Sequence, residues 1–212
     1  MQKKITCFCG NGFEVNVPEE IDLDSESKYL DEIQNGSFFN FICPSCGKKH
    51  KPEFPISLLW PSKHLLLIVI PEQDRFDFYR KKKQPARKGH FVLETLIGYP
   101  ELSDRLAVLR NDLNPVVVEA LKYHLQMKAE EQYPDSEMEI WYYCAGNSAA
   151  KGASPDFLEF HIHGIKADEV AVMRIPFSLY EKTLGDYKKH PKAEIFKALR
   201  FLNYLSYKNT MH

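Results

Sequence analysis

Four of the five cysteines fall in two close pairs, Cys7-Phe8-Cys9 and Cys43-Pro44-Ser45-Cys46. Two tight turns that each present two thiolates let one chain build a tetrahedral sulfur site for Zn2+, with bonds of about 2.3 Å. In the second pair Pro44 presets the turn, Gly47 tolerates a positive φ, and the turn amides can donate to the sulfurs. In the first pair, residues i and i+2 of an extended backbone face the same side, so Cys7 and Cys9 can converge on one ion, and Gly10 permits the reversal. Protein then fills every position of the tetrahedron, which describes a structural rather than a catalytic site. Two disulfides, buried free thiols or a thioredoxin-type redox pair are the other readings. A redox pair would open a helix within a strand-helix-strand unit, whereas Cys43 and Cys46 follow a strand and precede Lys48-Lys49-His50-Lys51-Pro52, which is not helical. Lys3, Lys4, Lys48 and Lys49 lie close in sequence to the cysteines and either offset the double negative charge of a four-thiolate zinc site or are ordinary solvated surface.

Two further groups could do chemistry. Glu159, His161 and His163 alternate with Leu158, Phe160 and Ile162, so a strand at 157–163 would place two imidazoles and a carboxylate on one polar face, with Cys144 on a neighbouring strand as an extra ligand. A solvated face of a half-buried strand has the same pattern. The stretch from Arg80 to Lys88 carries six cations, with Phe76, Phe78 and Tyr79 just before it, a composition that suits a nucleic-acid backbone and its bases as well as it suits a solvated loop. No Gly-rich phosphate loop, Gly-x-Ser-x-Gly elbow or His-Glu-x-x-His helix gives a positive sign of a hydrolase or nucleotide enzyme.

The elements that must position these groups follow from periodicity. Strands at 3–9 and 13–17 flank Asn11-Gly12, so the first cysteine pair sits at a hairpin tip. A short helix over 24–35 is stopped by Gly36. The aromatic run Phe38 to Ile42 reads as a strand leading into the second pair, the strand-then-knuckle order of zinc ribbons. Leu58 to Trp60, Pro61-Ser62-Lys63 and His64 to Ile70 read as a hairpin whose second strand is apolar on both faces and central in a sheet. Residues 72–90 are polar and predict a mobile surface loop. Asn114 caps and Pro115 opens a helix to about Glu131 that should pack on that sheet. Strands at 137–144, 157–163 and 170–175, with a small-residue loop at 145–155, precede two helices. The first carries the capping pattern Ser178/Glu181, and the second opens at Pro191 and carries Ile195, Ala198, Leu199, Leu202 and Leu205.

The cysteine spacing, the Phe41-Ile42-Cys43-Pro44-Ser45-Cys46-Gly47 knuckle, the Leu58-to-Pro71 hairpin and the helix near 115–131 together resemble the CpXC-domain proteins. This is a prokaryotic family named for its two cysteine pairs and lacking an assigned function. The likeness covers roughly residues 5 to 130. It implies that Cys7, Cys9, Cys43 and Cys46 are the shared ligand set, and it implies no substrate or reaction.

With 212 residues, 44% of them hydrophobic, the chain can bury an ordinary core, and a net charge of −1 supplies no global attraction to polyanions. The opening residues lack the apolar stretch of a secretory signal, and the run Leu65 to Ile70 is too short to span a bilayer, so a soluble cytoplasmic protein is expected. These readings predict an α+β protein in two parts. Residues 1–133 form an N-terminal zinc-ribbon-like module continuous with an antiparallel sheet and helix, and residues 134–212 form a smaller β-β-β-α-α segment packed on it. The expected function is a non-catalytic interaction module with a structural Zn2+ site, meeting a protein partner through its sheet edge or the strand Phe38 to Phe41, whose phenylalanines fit a core equally well. A metal-dependent enzyme using Glu159, His161 and His163, and a nucleic-acid binder using 80–88, are the alternatives.

Overall fold

The computed structural model describes residues 1–81, 87–134, 136–147, 155–166 and 168–210. Helices and several sheets are mixed along the chain, with six α-helices among the described residues. The chain divides into two compact units, one of Met1–Ser103 with Leu202–Tyr204, the other of Asp104–Phe201 with the residues from Leu205 on. The division after Ser103 lies ahead of the 133/134 boundary expected from the sequence.

In the first unit, β1 (Gln2–Thr6) and β2 (Gly12–Asn16) pair antiparallel around the turn that holds Cys7 and Cys9. After β3 (Glu20–Asp22), α1 (Lys28–Gln34) starts later than the apolar spacing predicts. Asp24, expected at the start of that helix, instead accepts bonds from the Ser62 backbone N–H at 2.7 Å and hydroxyl at 2.8 Å. Gly36 stops the helix at φ +72°. The expected strand over 38–42 shrinks to β4 (Phe41–Ile42), which clips antiparallel to β5 (Lys49–His50). Phe39 sits at φ +49°, which no strand accommodates, and its ring stacks on Phe38 at 4.0 Å. Burying both rings, at about 1.5–3 kcal/mol each, offsets that local strain.

The hairpin of β6 (Ile56–Trp60) and β7 (Leu65–Ile70) forms as expected, and β7 is central with Leu67 and Val69 fully buried. A short helix α2 (Arg75–Tyr79) occupies part of the predicted loop, whose residues 82–86 lie outside the described ones. β8 (Arg87–Lys88) then folds back on β9 (Phe91–Ile97), and α3 (Gly98–Arg110) follows. The sheet is not the antiparallel one predicted. It is mixed: β3 runs parallel to β6, and β7 runs parallel to β9 with its six residues in continuous register. The chain between β7 and β9 is long enough for the crossover that parallel pairing requires. Strand β9 and helix α3 have no counterpart among the elements expected from the sequence; the structure joins them by a strand-to-helix turn with Gly98 at φ +79°.

In the second unit, α4 (Pro115–Gln132) is capped as predicted, with Asn114 Oδ1 accepting from the Val116 and Val117 amides at 3.0 and 3.4 Å. Its apolar positions Val117, Leu121 and Leu125 join Leu158, Phe160 and Ile162 in the core of an antiparallel meander. The meander comprises β10 (Glu139–Gly146), β11 (Phe157–His163) and β12 (Ala171–Pro176). The helix thus packs on this sheet, a different one from the hairpin sheet expected. The small-residue loop falls mostly at 148–154, outside the described residues. α5 (Phe177–Lys189) follows Pro176 with no side-chain cap. The predicted final helix is only α6 (Glu194–Ala198), followed by the short strands β13 (Arg200–Phe201) and β14 (Tyr204–Leu205). Leu202, expected on a helix face, turns the chain at φ +56°. In the first unit, Tyr204 pairs parallel with Thr95 of β9. That non-local pairing wins over the helical spacing of the leucines.

Four charges are fully enclosed in the second unit. Lys122 Nζ lies 2.5 Å from Asp104 Oδ2 and 2.9 Å from Glu119 Oε1, and Arg105 donates to the Leu205 carbonyl at 2.9 Å. The Tyr142 amide donates to Asp104 and the Tyr207 amide to Glu119. Two anions and two cations cancel, which makes their burial tolerable.

Candidate metal centre

The turn after β1 is closed by the Cys7 N–H donating to the Asn11 carbonyl and the Gly10 N–H donating to the Cys7 carbonyl, each at 2.9 Å. Gly10 takes φ +85°, a conformation an L side chain would strain. The second turn repeats the device: Gly47, at φ +71°, donates its N–H to the Cys43 carbonyl at 2.9 Å, and the β4–β5 clip holds the turn from below. Each turn buries its first cysteine and exposes its second.

The two turns face one another. Cys7 Sγ lies 3.5 Å from Cys46 Sγ, Cys9 Sγ lies 3.8 Å from Cys43 Sγ, and all four sulfurs fall within 4.8 Å of one another. A tetrahedron with metal–sulfur bonds of about 2.3 Å has edges of about 3.8 Å, so the four sulfurs already span the volume of one ion. No disulfide joins them. The donor set and its spacing are those that could hold a metal ion.

Their environments differ before any ion is considered. Burial pushes the Cys43 thiol up, but the backbone amides of Cys46 and Ser45, then the Cys7 and Asn11 side chains, outweigh it and bring it down to about 6. At Cys7 the Cys9 amide pulls down, while burial and the other thiols prevail and drive it up to about 12. The Asn11 amide, ahead of the other causes, lowers Cys9. Four crowded thiols cannot all ionise alone; a divalent cation supplies the charge that lets them.

One neighbour escaped the sequence reading. His50 Nε2 lies 3.1 Å from Cys7 Sγ, and its ring rests between Phe8, at 6.1 Å, and Phe13, at 5.9 Å. With Nε2 protonated, the imidazole donates to that sulfur, as an outer partner of a metal ligand does. The signal was the position of His50 in the strand pairing with Phe41 at the base of the knuckle, which no motif prints. Phe8, 93% exposed, and Ile42, 61% exposed, project beside the sulfurs. Phe38 and Phe39, which fit either a partner-facing strand or the core by sequence, are core residues.

Glu159, His161 and His163 lie on β11 as expected, but the carboxylate is engaged. Glu159 Oε2 accepts from Arg174 Nε at 2.7 Å and Oε1 lies 3.1 Å from His161 Nε2, whose ring stacks on Tyr143 at 4.2 Å. Arg174 foremost, then His161, holds the Glu159 carboxyl below its ordinary range. A guanidinium at the carboxylate opposes a cation there. Cys144 stands opposite Glu159 in register, its thiol pushed up by burial. Among the described residues, the cysteine quartet is the only group of three or more that could hold a metal. Of the basic stretch, Arg80 packs its guanidinium over Phe76 at 4.2 Å and Lys81 lies over Phe78 at 5.5 Å, while Lys82 and Lys83 lie outside the described residues.

The model of the CpXC protein family matches residues 5–122, a span that contains all four clustered cysteines. An uncharacterized protein of Treponema pallidum (strain Nichols) is 30% identical over 219 residues, covering 97% of each chain. No solved structure matches the chain.

Proposed function

Because this chain belongs to the CpXC protein family and folds its two cysteine pairs into one sulfur cage, we propose that it is a zinc-binding protein whose N-terminal module, zinc-ribbon-like in build, is a non-catalytic interaction module. The observation that carries this reading is the convergence of Cys7, Cys9, Cys43 and Cys46 from two glycine-assisted turns. Four thiolates suit Zn2+, which has no geometric preference to frustrate and takes a closed tetrahedron in structural sites. When bound, the ion ties together two hairpins that lie far apart along the chain. The chain's own residues do the rest: the amides of Ser45 and Cys46 and the Asn11 side chain stabilise thiolate at Cys43, and His50 orients Cys7.

The exposed pair Phe8 and Ile42 supports a protein partner at the tips of the turns, since apolar side chains are otherwise drawn inward in so small a module. The test is metal identity and stoichiometry on freshly purified protein, with Cys43→Ser and a His161→Ala/His163→Ala variant beside the wild type. One zinc per chain, lost only in the cysteine variant, is the expected result. A second metal lost only in the histidine variant would overturn the non-catalytic reading.

A further inference from the structure

A cavity of about 320 Å3 opens in the first unit beside α1 and the start of α3. Its volume sits at the small end of ligand sites, roughly 300–1,000 Å3. It lies just past the carboxyl ends of the parallel strands β7 and β9, the place where open sheets with helical crossovers take their ligands. Glu53 fixes that edge. Its Oε1 accepts from the Tyr99 amide at 2.8 Å and its Oε2 from the Glu72 amide at 2.7 Å, the first residues beyond the turns that end the two strands.

The wall is apolar at Ile33, Phe38 and Pro100 and charged at Lys51 and Glu53. Lys51 and Glu53, two apart in the segment between β5 and β6, both line the cavity and are opposite in sign, yet no ion pair joins them. Among the described residues Lys51 Nζ has no hydrogen-bond or ion-pair partner. Its amine stands 3.5 Å from where a Cβ on Gly36 would be, an ordinary van der Waals distance, so the amine lies directly beside the turn that ends α1. Each Glu53 oxygen, holding one amide, keeps a lone pair, and Gln34 spends its amide N–H on the Ser103 carbonyl at 2.9 Å, leaving its own oxygen as an acceptor. A cation lacking an anion, acceptors with lone pairs to spare and an apolar wall thus border one small volume.

We propose that this cavity binds a small zwitterion, an α-amino acid with an apolar side chain. The carboxylate pairs with Lys51, the ammonium group with Glu53 and Gln34, and the side chain lies on Phe38 and Pro100. A ligand with a single charge leaves one of the two wall charges desolvated and unpaired, which sets the selectivity. The site is separate from the sulfur cage and does not depend on which metal fills it.

Calorimetric titration of the intact metal-loaded protein with L-leucine, L-phenylalanine, 3-phenylpropionate and 2-phenylethylamine tests this. At least one amino acid should bind, with the two single-charge analogues weaker by about tenfold or more. Lys51→Met, at an exposed position without a partner, should weaken amino-acid binding about tenfold and leave 2-phenylethylamine unaffected, a split that a general loss of structure would not produce. Absence of binding of both amino acids up to about 10 mM, or 3-phenylpropionate binding as well as phenylalanine, overturns the proposal.

Discussion

Cys43 and Cys7 show how much two residues of the same type can differ when their surroundings do. Cys43 receives amides and becomes the easiest thiol to ionise, whereas Cys7, enclosed beside three other sulfurs, becomes the hardest. His50 stands at the harder one, 3.1 Å from its sulfur. We expect His50→Ala to keep the metal stoichiometry while weakening metal affinity about 10- to 100-fold, as loss of an outer-shell partner does. Competition with a chromophoric chelator measures it, and an unchanged affinity would confine His50 to packing against Phe8 and Phe13. Two residues beyond β11's expected metal triad decide its character: Arg174 pairs with Glu159, and Tyr143 covers His161. Since the Glu159 carboxyl titrates below its ordinary value of 4.5, the stability it contributes is full above that value and is lost as the pH falls through the lower folded value. Arg174→Ala, which removes the foremost cause, should therefore lower the melting temperature near neutral pH and flatten its further fall on acidification, read from melts between about pH 3 and 6.

Among the elements, α4 combines the most readable signals with the least expected interior. Its cap and first-turn proline are local features, and Asn114→Ala should cost about 1 kcal/mol in urea unfolding. Its buried face also carries Glu119 and Lys122, polar residues that the periodicity of Val117, Leu121 and Leu125 does not foretell. Burial pulls the Lys122 amine down, but Asp104 and Glu119 outweigh it and hold the amine protonated above its usual range. Lys122→Met leaves two carboxylates facing each other without that cation, so it should destabilise the fold by about 3–5 kcal/mol. The triple change Asp104→Asn/Glu119→Gln/Lys122→Met should recover part of that loss. A single variant as stable as the wild type would show that water already enters this network.

On the scale of the whole molecule, two compact units imply that removing the metal has a local reach. Chelation should speed amide exchange across β1, β2, β4 and β5, whose short pairings surround the sulfurs, and leave the β10–β11–β12 meander protected. Hydrogen exchange read by mass spectrometry separates the two segments. Loss of protection in the meander as well would make the metal essential to the entire chain. No helix among the described residues is long and apolar enough to cross a membrane.

What the sequence determined by itself was whatever depends on neighbours along the chain. The cysteine spacing and the glycines after each pair specified which cysteines converge, Asn114-Pro115 specified the start of α4, and the unbroken apolar run Leu65–Ile70 specified a buried central strand. Tertiary structure decided what depends on distant partners. Whether β7 lies beside β9 in parallel, whether Leu202 continues a helix or turns a hairpin, and whether Phe38 faces a partner or the core are settled by pairings far apart in the chain. Apolar spacing of three and four residues fits both outcomes. The same holds at the sites: the sequence placed a carboxylate and two histidines on one strand, but only the fold brought Arg174 to the carboxylate, and only the fold set His50 against a sulfur 43 positions away.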